Sequence, residues 1–103
     1  MNKTLLALLL GGLLAQSTAI ASTAEELFKA KACVACHAVD HKLIGPAFHD
    51  VGAKYAAQPD GTAHIANSIR TGSTNNWGPM PMPPNAVSEE EAQTLAEWIV
   101  TLK

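Results

Sequence analysis

The chain has 103 residues and a formal net charge of −2 at neutral pH, which leaves room for one small domain and no second one. Nine Asp and Glu against seven Lys and Arg give no basic surplus for a phosphate backbone, so nucleic acid is not an expected partner. The first segment is not expected to be part of the fold. It has Lys3, an apolar run over residues 5–15, then small and polar residues ending in Ala19-Ile20-Ala21, the grammar of a secretory signal peptide cut after Ala21. A retained anchor is the alternative. The run falls short of the roughly 20 apolar residues that cross a bilayer, so no stable membrane insertion is expected. Residues 1–21 are thus expected to be a cleaved signal peptide, leaving 82 residues, 22–103, as the domain. With Lys3 gone, that domain carries six basic residues against nine acidic ones.

Thr23-Ala24-Glu25-Glu26 predicts a helix start, with a capping hydroxyl and acids in the first turn. Leu27 and Phe28 give this helix something to bury, and it is expected to run to about Ala32. It delivers Cys33-Val34-Ala35-Cys36-His37, a Cys-x-x-Cys-His run of the kind to which haem is covalently attached. The spacing has a chemical reason. In a helical turn, residues three and four apart share a face, so Cys33, Cys36 and His37 can address one flat object. Two thiols can add to two vinyl groups while the imidazole takes the iron.

Three other uses of these residues compete. A zinc site needs four ligands, and the chain has only two cysteines, with His37 and His41 following at once rather than after a spacer of about 12 residues. A thioredoxin-like redox pair needs a βαβ setting, and no strand-rich segment is present. A disulfide between Cys33 and Cys36 is open to an exported chain. The adjoining histidine favours haem. In so small a domain a core made of side chains alone is marginal, so a central haem would couple folding to its own binding.

Residues 40–44 are expected to form a loop and Gly45-Pro46 a turn. Pro46 is expected at the first position of a second helix, where its missing N–H costs nothing, with Phe48, Val51 and Tyr55 on its apolar side. Residues 58–62 read as a turn through Pro59 and Gly61. A third helix over residues 63–70 places Ile65 and Ile69 together and stops at Gly72. Residues 72–85 hold two glycines, four prolines, one tryptophan and two methionines, and cannot be a continuous helix. So long an irregular loop in so small a domain is usually functional. Ser88-Glu89-Glu90-Glu91 is a capping box, and Leu95, Trp98, Ile99 and Leu102 make the apolar stripe of a last helix. The fold class is all-α, with four or five short helices around one haem.

A haem held by one histidine has an opposite iron position to fill, and methionine is a known occupant. Met80 and Met82 are the candidates outside the leader, in Trp77-Gly78-Pro79-Met80-Pro81-Met82-Pro83-Pro84-Asn85. Prolines stiffen this loop and remove donors, so it could hold a sulfur without helix hydrogen bonds. Filling core gaps is the ordinary work of methionine. Spacing alone does not separate the two.

On the haem motif, Gly45-Pro46-Ala47, and above all residues 77–88, the chain resembles the small bacterial class I cytochromes c, nearest the c-551 type. The likeness covers residues 25–103. It implies the class I cytochrome c fold and one haem c on Cys33 and Cys36. It also implies His37 and Met82 as the two iron ligands, with Met80 at an ordinary apolar position. The resemblance further implies that the Pro46 carbonyl accepts from His37 Nδ1, as metal-bound histidines require. Asn85 is similar to a residue that hydrogen-bonds the ligand sulfur, and Trp77 to an indole that donates to a haem propionate. One departure stands out: where the family often has an arginine near a propionate, this chain has Ser68, with Arg70 two residues on.

The expected function is a monomeric, soluble periplasmic electron carrier and not an enzyme, since two axial ligands leave no place for substrate. Its implied partners are redox proteins: a bc-type complex, a nitrite reductase, an oxidase or a photosynthetic reaction centre. A haem sensor or small peroxidase, with Met82 displaced, is the alternative, and it predicts ready binding of carbon monoxide. A cysteine-bridged interaction domain is a third, and it predicts no haem colour after denaturation. His41, His49 and His64 are expected to be solvated. Lys29, Lys31, Lys42 and Lys54 could form a weak docking rim beside the motif.

Overall fold

The computed structural model describes residues 11–12 and 22–103. The expected signal peptide therefore lies, except for Gly11 and Gly12, outside the described residues. Four α-helices and one 3₁₀ turn make the domain, and no strand forms among the described residues. The all-α expectation holds.

Helix α1 spans Ala24–Ala30, and its first turn is capped as expected, with Thr23 Oγ1 accepting from the Glu26 N–H at 3.2 Å. It ends earlier than expected. Lys31 closes the last turn and Ala32 takes a left-handed conformation, φ 63°, which no α-helix can continue through. That reversal launches the 3₁₀ turn Cys33–Ala35.

Helix α2 spans Phe48–Tyr55, and Ala47 caps it, so Pro46 sits one residue before the cap rather than at the first helical position. The consequence is local and useful. A carbonyl inside the helix would serve the residue four ahead, whereas that of Pro46 stays available to a side chain. The first N–H groups of α2 are not left to water: Phe48 donates to Ala38 O and His49 to Val39 O, each at 3.0 Å. These bonds fasten the start of α2 to the segment just past His37.

Helix α3 spans Gly61–Thr71, so Gly61 and Thr62 belong to it rather than to the preceding turn. Gly61 is glycine because of packing: a Cβ there would collide with the Tyr55 carbonyl oxygen. The helix stops at Gly72, φ 82°, as its sequence predicts.

Helix α4 spans Glu89–Ile99 and carries both halves of the capping box, Glu91 N–H to Ser88 Oγ at 3.0 Å and Ser88 N–H to Glu91 Oε1 at 2.9 Å. It meets α1, α2 and α3 and is the spine of the fold. Leu95 and Ile99 are buried, and so are Ala92 and Ala96, the small residues that allow close approach of neighbouring helices. Leu27, Phe48, Val51, Tyr55, Ile65 and Ile69 complete the core.

Candidate haem site

The motif adopts the turn that its chemistry requires. Cys36 N–H and His37 N–H both donate to Cys33 O, at 3.1 and 2.9 Å, so residues three and four apart are wound onto one side. Cys33 and Cys36 are half-buried free thiols and are not joined as a disulfide. Burial pushes the Cys33 thiol above its ordinary pKa, and the neighbouring Cys36 adds to the effect.

His37 is held on three sides. Its Nδ1–H donates to the Pro46 carbonyl at 2.8 Å. A carbonyl can only accept, so this bond fixes the proton on Nδ1 and leaves Nε2 with its lone pair. Gly45 lies against the ring, and a Cβ there would come within 2.8 Å of Nδ1. Gly45 N–H in turn donates to Cys36 O at 2.7 Å. Behind the ring, Phe48 packs at 5.0 Å between centroids and joins Phe28 and Trp98 in a cluster drawn from α1, α2 and α4.

Cys33, Cys36, His37 and Met82 all line one cavity of about 320 Å³, within the range of small-molecule sites, floored by Phe48, Val51, Ile65, Ile69, Leu95 and Ile99. Met82 is half-buried and forms an antiparallel bridge with Ser73, each N–H on the other's carbonyl at 3.0 and 2.9 Å. Met80 also borders the cavity but is 64% exposed. Trp77 borders it too, 40% exposed, with the Lys54 ammonium 4.6 Å from its ring centroid. Asn85 lines the cavity while its side-chain amide donates to Ile69 O at 3.0 Å and Pro83 O at 3.3 Å. Its backbone N–H donates to the same Ile69 carbonyl. Ser68 lines the cavity, whereas Arg70 is exposed and not part of the lining.

Two surface expectations need correction. His41 and His49 are exposed as expected, His41 beside Asp40 at 2.8 Å, a contact that holds the Asp40 carboxyl below its usual pKa. His64 is exposed but not merely solvated. Its ring stacks on Tyr55 at 4.6 Å and it borders the cavity. Of the four expected rim lysines, Lys31 pairs with Glu91 at 3.5 Å and Lys54 donates to Asn76 O at 3.2 Å, which leaves Lys29 and Lys42. Gly45 was legible only as a turn residue, because its contact with His37 depends on the seven intervening residues folding back.

The donor set suits an iron porphyrin: two thiols, an imidazole with one free nitrogen, and a thioether, around an apolar hollow. Among the described residues no cluster of three or more His, Cys, Asp or Glu is placed to hold a bare metal ion. The sequence profile described as Cytochrome c matches residues 21–103.

The chain belongs to the cytochrome c family.

Membership brings one covalently bound haem c, with two cysteines consistent with its attachment, and electron transport in place of catalysis. The relatives place it in the small class I, c-551 type. It is 82% identical over 82 residues to cytochrome c-551 of Pseudomonas denitrificans, covering 80% of this chain and all of that one. To cytochrome c-551 of Pseudomonas aeruginosa it is 54% identical over 99 residues, 96% of this chain and 95% of the relative. The crystal structure of Nitrosomonas europaea cytochrome c552 superposes with a TM-score of 0.74 at 48% identity, over 77% of this chain and 99% of the other. The class I cytochrome c fold follows.

Proposed function

We propose that this cytochrome c is a soluble periplasmic carrier with a single haem, attached through Cys33 and Cys36 and ligated by His37 on one face and Met82 on the other. The observation that carries this is one cavity lined by all four side chains, with His37 Nδ1 already committed to Pro46 so that only Nε2 can bind iron. The haem supplies the one-electron couple. The chain's own residues orient the imidazole, exclude water with an apolar floor, and bring a thioether to the opposite wall. Met82 is favoured over Met80 because it is half-buried and tied at its backbone to Ser73, whereas Met80 is mostly in solvent. A thioether ligand raises the potential.

Trp77 and Asn85 border the same cavity and are proposed to face a propionate and the methionine sulfur respectively. In the structure as it stands the Asn85 amide serves Ile69 and Pro83, so it fixes the loop as well. Export is proposed from the leader. Its support is that 82 residues, the number left after Ala21, match the Pseudomonas denitrificans relative over that protein's whole length. Val34, Leu43, Ile44 and Met80 are exposed apolar residues at or near the motif and the cavity mouth, suited to brief docking of a monomer on redox partners. Those partners are proposed to be of the bc-type complex, nitrite reductase, oxidase or photosynthetic reaction-centre kind.

Carbon monoxide added to the reduced exported protein at neutral pH tests the ligation. Both iron positions being filled predicts no binding, together with a band at the red end of the ferric spectrum from methionine–iron bonding. Ready binding would instead support a sensor or peroxidase.

A further inference from the structure

The Ser73–Met82 bridge closes a neck, and Thr74–Pro81 is the eight-residue loop beyond it. That loop has little of its own to hold it. It contains Gly78 at φ 107° and Asn75 at φ 62°, and its prolines lack donors. Among the described residues, the hydrogen bonds that reach it from other elements all end on Asn76. Lys54 Nζ, from α2, donates to the Asn76 carbonyl at 3.2 Å. The Asn76 side-chain nitrogen lies 3.5 Å from His64 Nε2, on α3. The same Lys54 ammonium sits 4.6 Å from the Trp77 ring centroid and 5.3 Å from that of Tyr55, and Tyr55 carries the stacked His64. Lys54 pairs with no carboxylate among the described residues. Its one charge is spent on the loop.

We propose that Lys54 is a positioning residue that latches the Thr74–Pro81 loop to α2, and thereby keeps Met82 over the haem. The inference rests on Met82 being the iron ligand. At an exposed position, a cation over an indole and a charge-assisted bond to a carbonyl are each worth only a few-fold in an equilibrium. On a loop whose other external hydrogen bond, Asn76 to His64, is long at 3.5 Å, a few-fold decides how often the loop lifts. Lys54 touches neither iron nor haem ligand here; it acts through Asn76 and Trp77. A docking role for this lysine makes a different prediction, because a lysine that only steers acidic partners leaves the iron spectrum untouched.

The test uses the exported holoprotein with K54Q, K54R and, as a reference, M82A. Glutamine removes the charge at similar length on an exposed helix position, and arginine keeps both charge and donor. The readouts are the temperature at which the methionine–ferric band is lost, the reduction potential, and the temperature at which the far-ultraviolet helical signal is lost. The latch predicts that K54Q raises the open fraction of the loop about five- to tenfold, so the band disappears well below the helix transition while that transition stays near the wild-type value. K54R is expected to restore the band. A K54Q protein with wild-type band stability, or a K54R no better than K54Q, overturns the latch. M82A separates the two claims. Loss of the band in M82A with no effect in K54Q leaves Met82 as the ligand and rejects the latch, whereas a band that survives in M82A rejects the ligand assignment itself.

Discussion

His37 shows how much one side chain can owe to its neighbours. Three backbone or ring contacts, from Pro46, Gly45 and Phe48, fix its tautomer and its plane before any metal is considered. Gly45→Ala should therefore push the ring from its seat, with a cost of about 1–3 kcal/mol typical of overpacking. Denaturant melts of the holoprotein would show it, accompanied by a changed potential; a variant of wild-type stability would mean that the ring has slack. For the proposed second ligand, Met82→Ala should lower the potential by an amount on the order of tenths of a volt, within the roughly 0.8 V that axial ligands span. It should also open the iron to carbon monoxide, while Met80→Leu should change little. Redox titration of both variants checks the assignment, and the reverse outcome would move the ligand to Met80. The haem motif was legible because covalent chemistry demands a local spacing that survives in five consecutive residues. The proposed choice of Met82 over Met80 has no basis in spacing, since both sit among prolines; its support is the burial of Met82 and its bridge to Ser73.

Among the elements, α4 repeats its sequence most faithfully, because both halves of its cap lie within four residues. Ser88→Ala should cost about 0.5–2 kcal/mol in a thermal melt, the usual worth of such a cap. The Glu91 half depends on pH. Its carboxylate accepts from the Ser88 backbone N–H and lies near Lys31, and these hold its pKa below the ordinary value. A depressed carboxylate pKa contributes stability that is present above the unfolded value of about 4.3 and is lost as pH falls through the folded one. The melting gap between the wild type and Glu91→Ala should accordingly be open at pH 7 and narrow at pH 3. A gap that does not change with pH would show that the carboxylate's charge plays no part. The ends of α1, α2 and α3 were less legible. Ala32 turns left-handed without being glycine, Pro46 stays outside its helix to serve His37, and Gly61 opens a helix because Tyr55 leaves no room for a Cβ. The last two depend on a residue brought close by the fold, which local propensity does not register. Ala92 and Ala96 escaped for a related reason. A stripe of large apolar residues draws attention, whereas small ones such as these are just as deeply buried.

For the whole molecule, four short helices enclose a hollow rather than filling the centre with their own side chains, and the cavity touches every residue of the core cluster except Leu27, Ala92 and Ala96. Haem and fold should thus be one thermodynamic unit. Replacing Cys33 and Cys36 together with alanine should yield a chain that loses haem and helical signal together, as read by absorbance and circular dichroism; a stable, colourless, fully helical variant would contradict this. The contacts least visible in advance were those between residues far apart in sequence, such as Phe28 to Trp98, Lys31 to Glu91 and Lys54 to Trp77. The most direct test of the account is the intact mass of the exported protein under denaturing conditions. Residues 22–103 plus one haem is the predicted result. A mass equal to the bare processed polypeptide would contradict it.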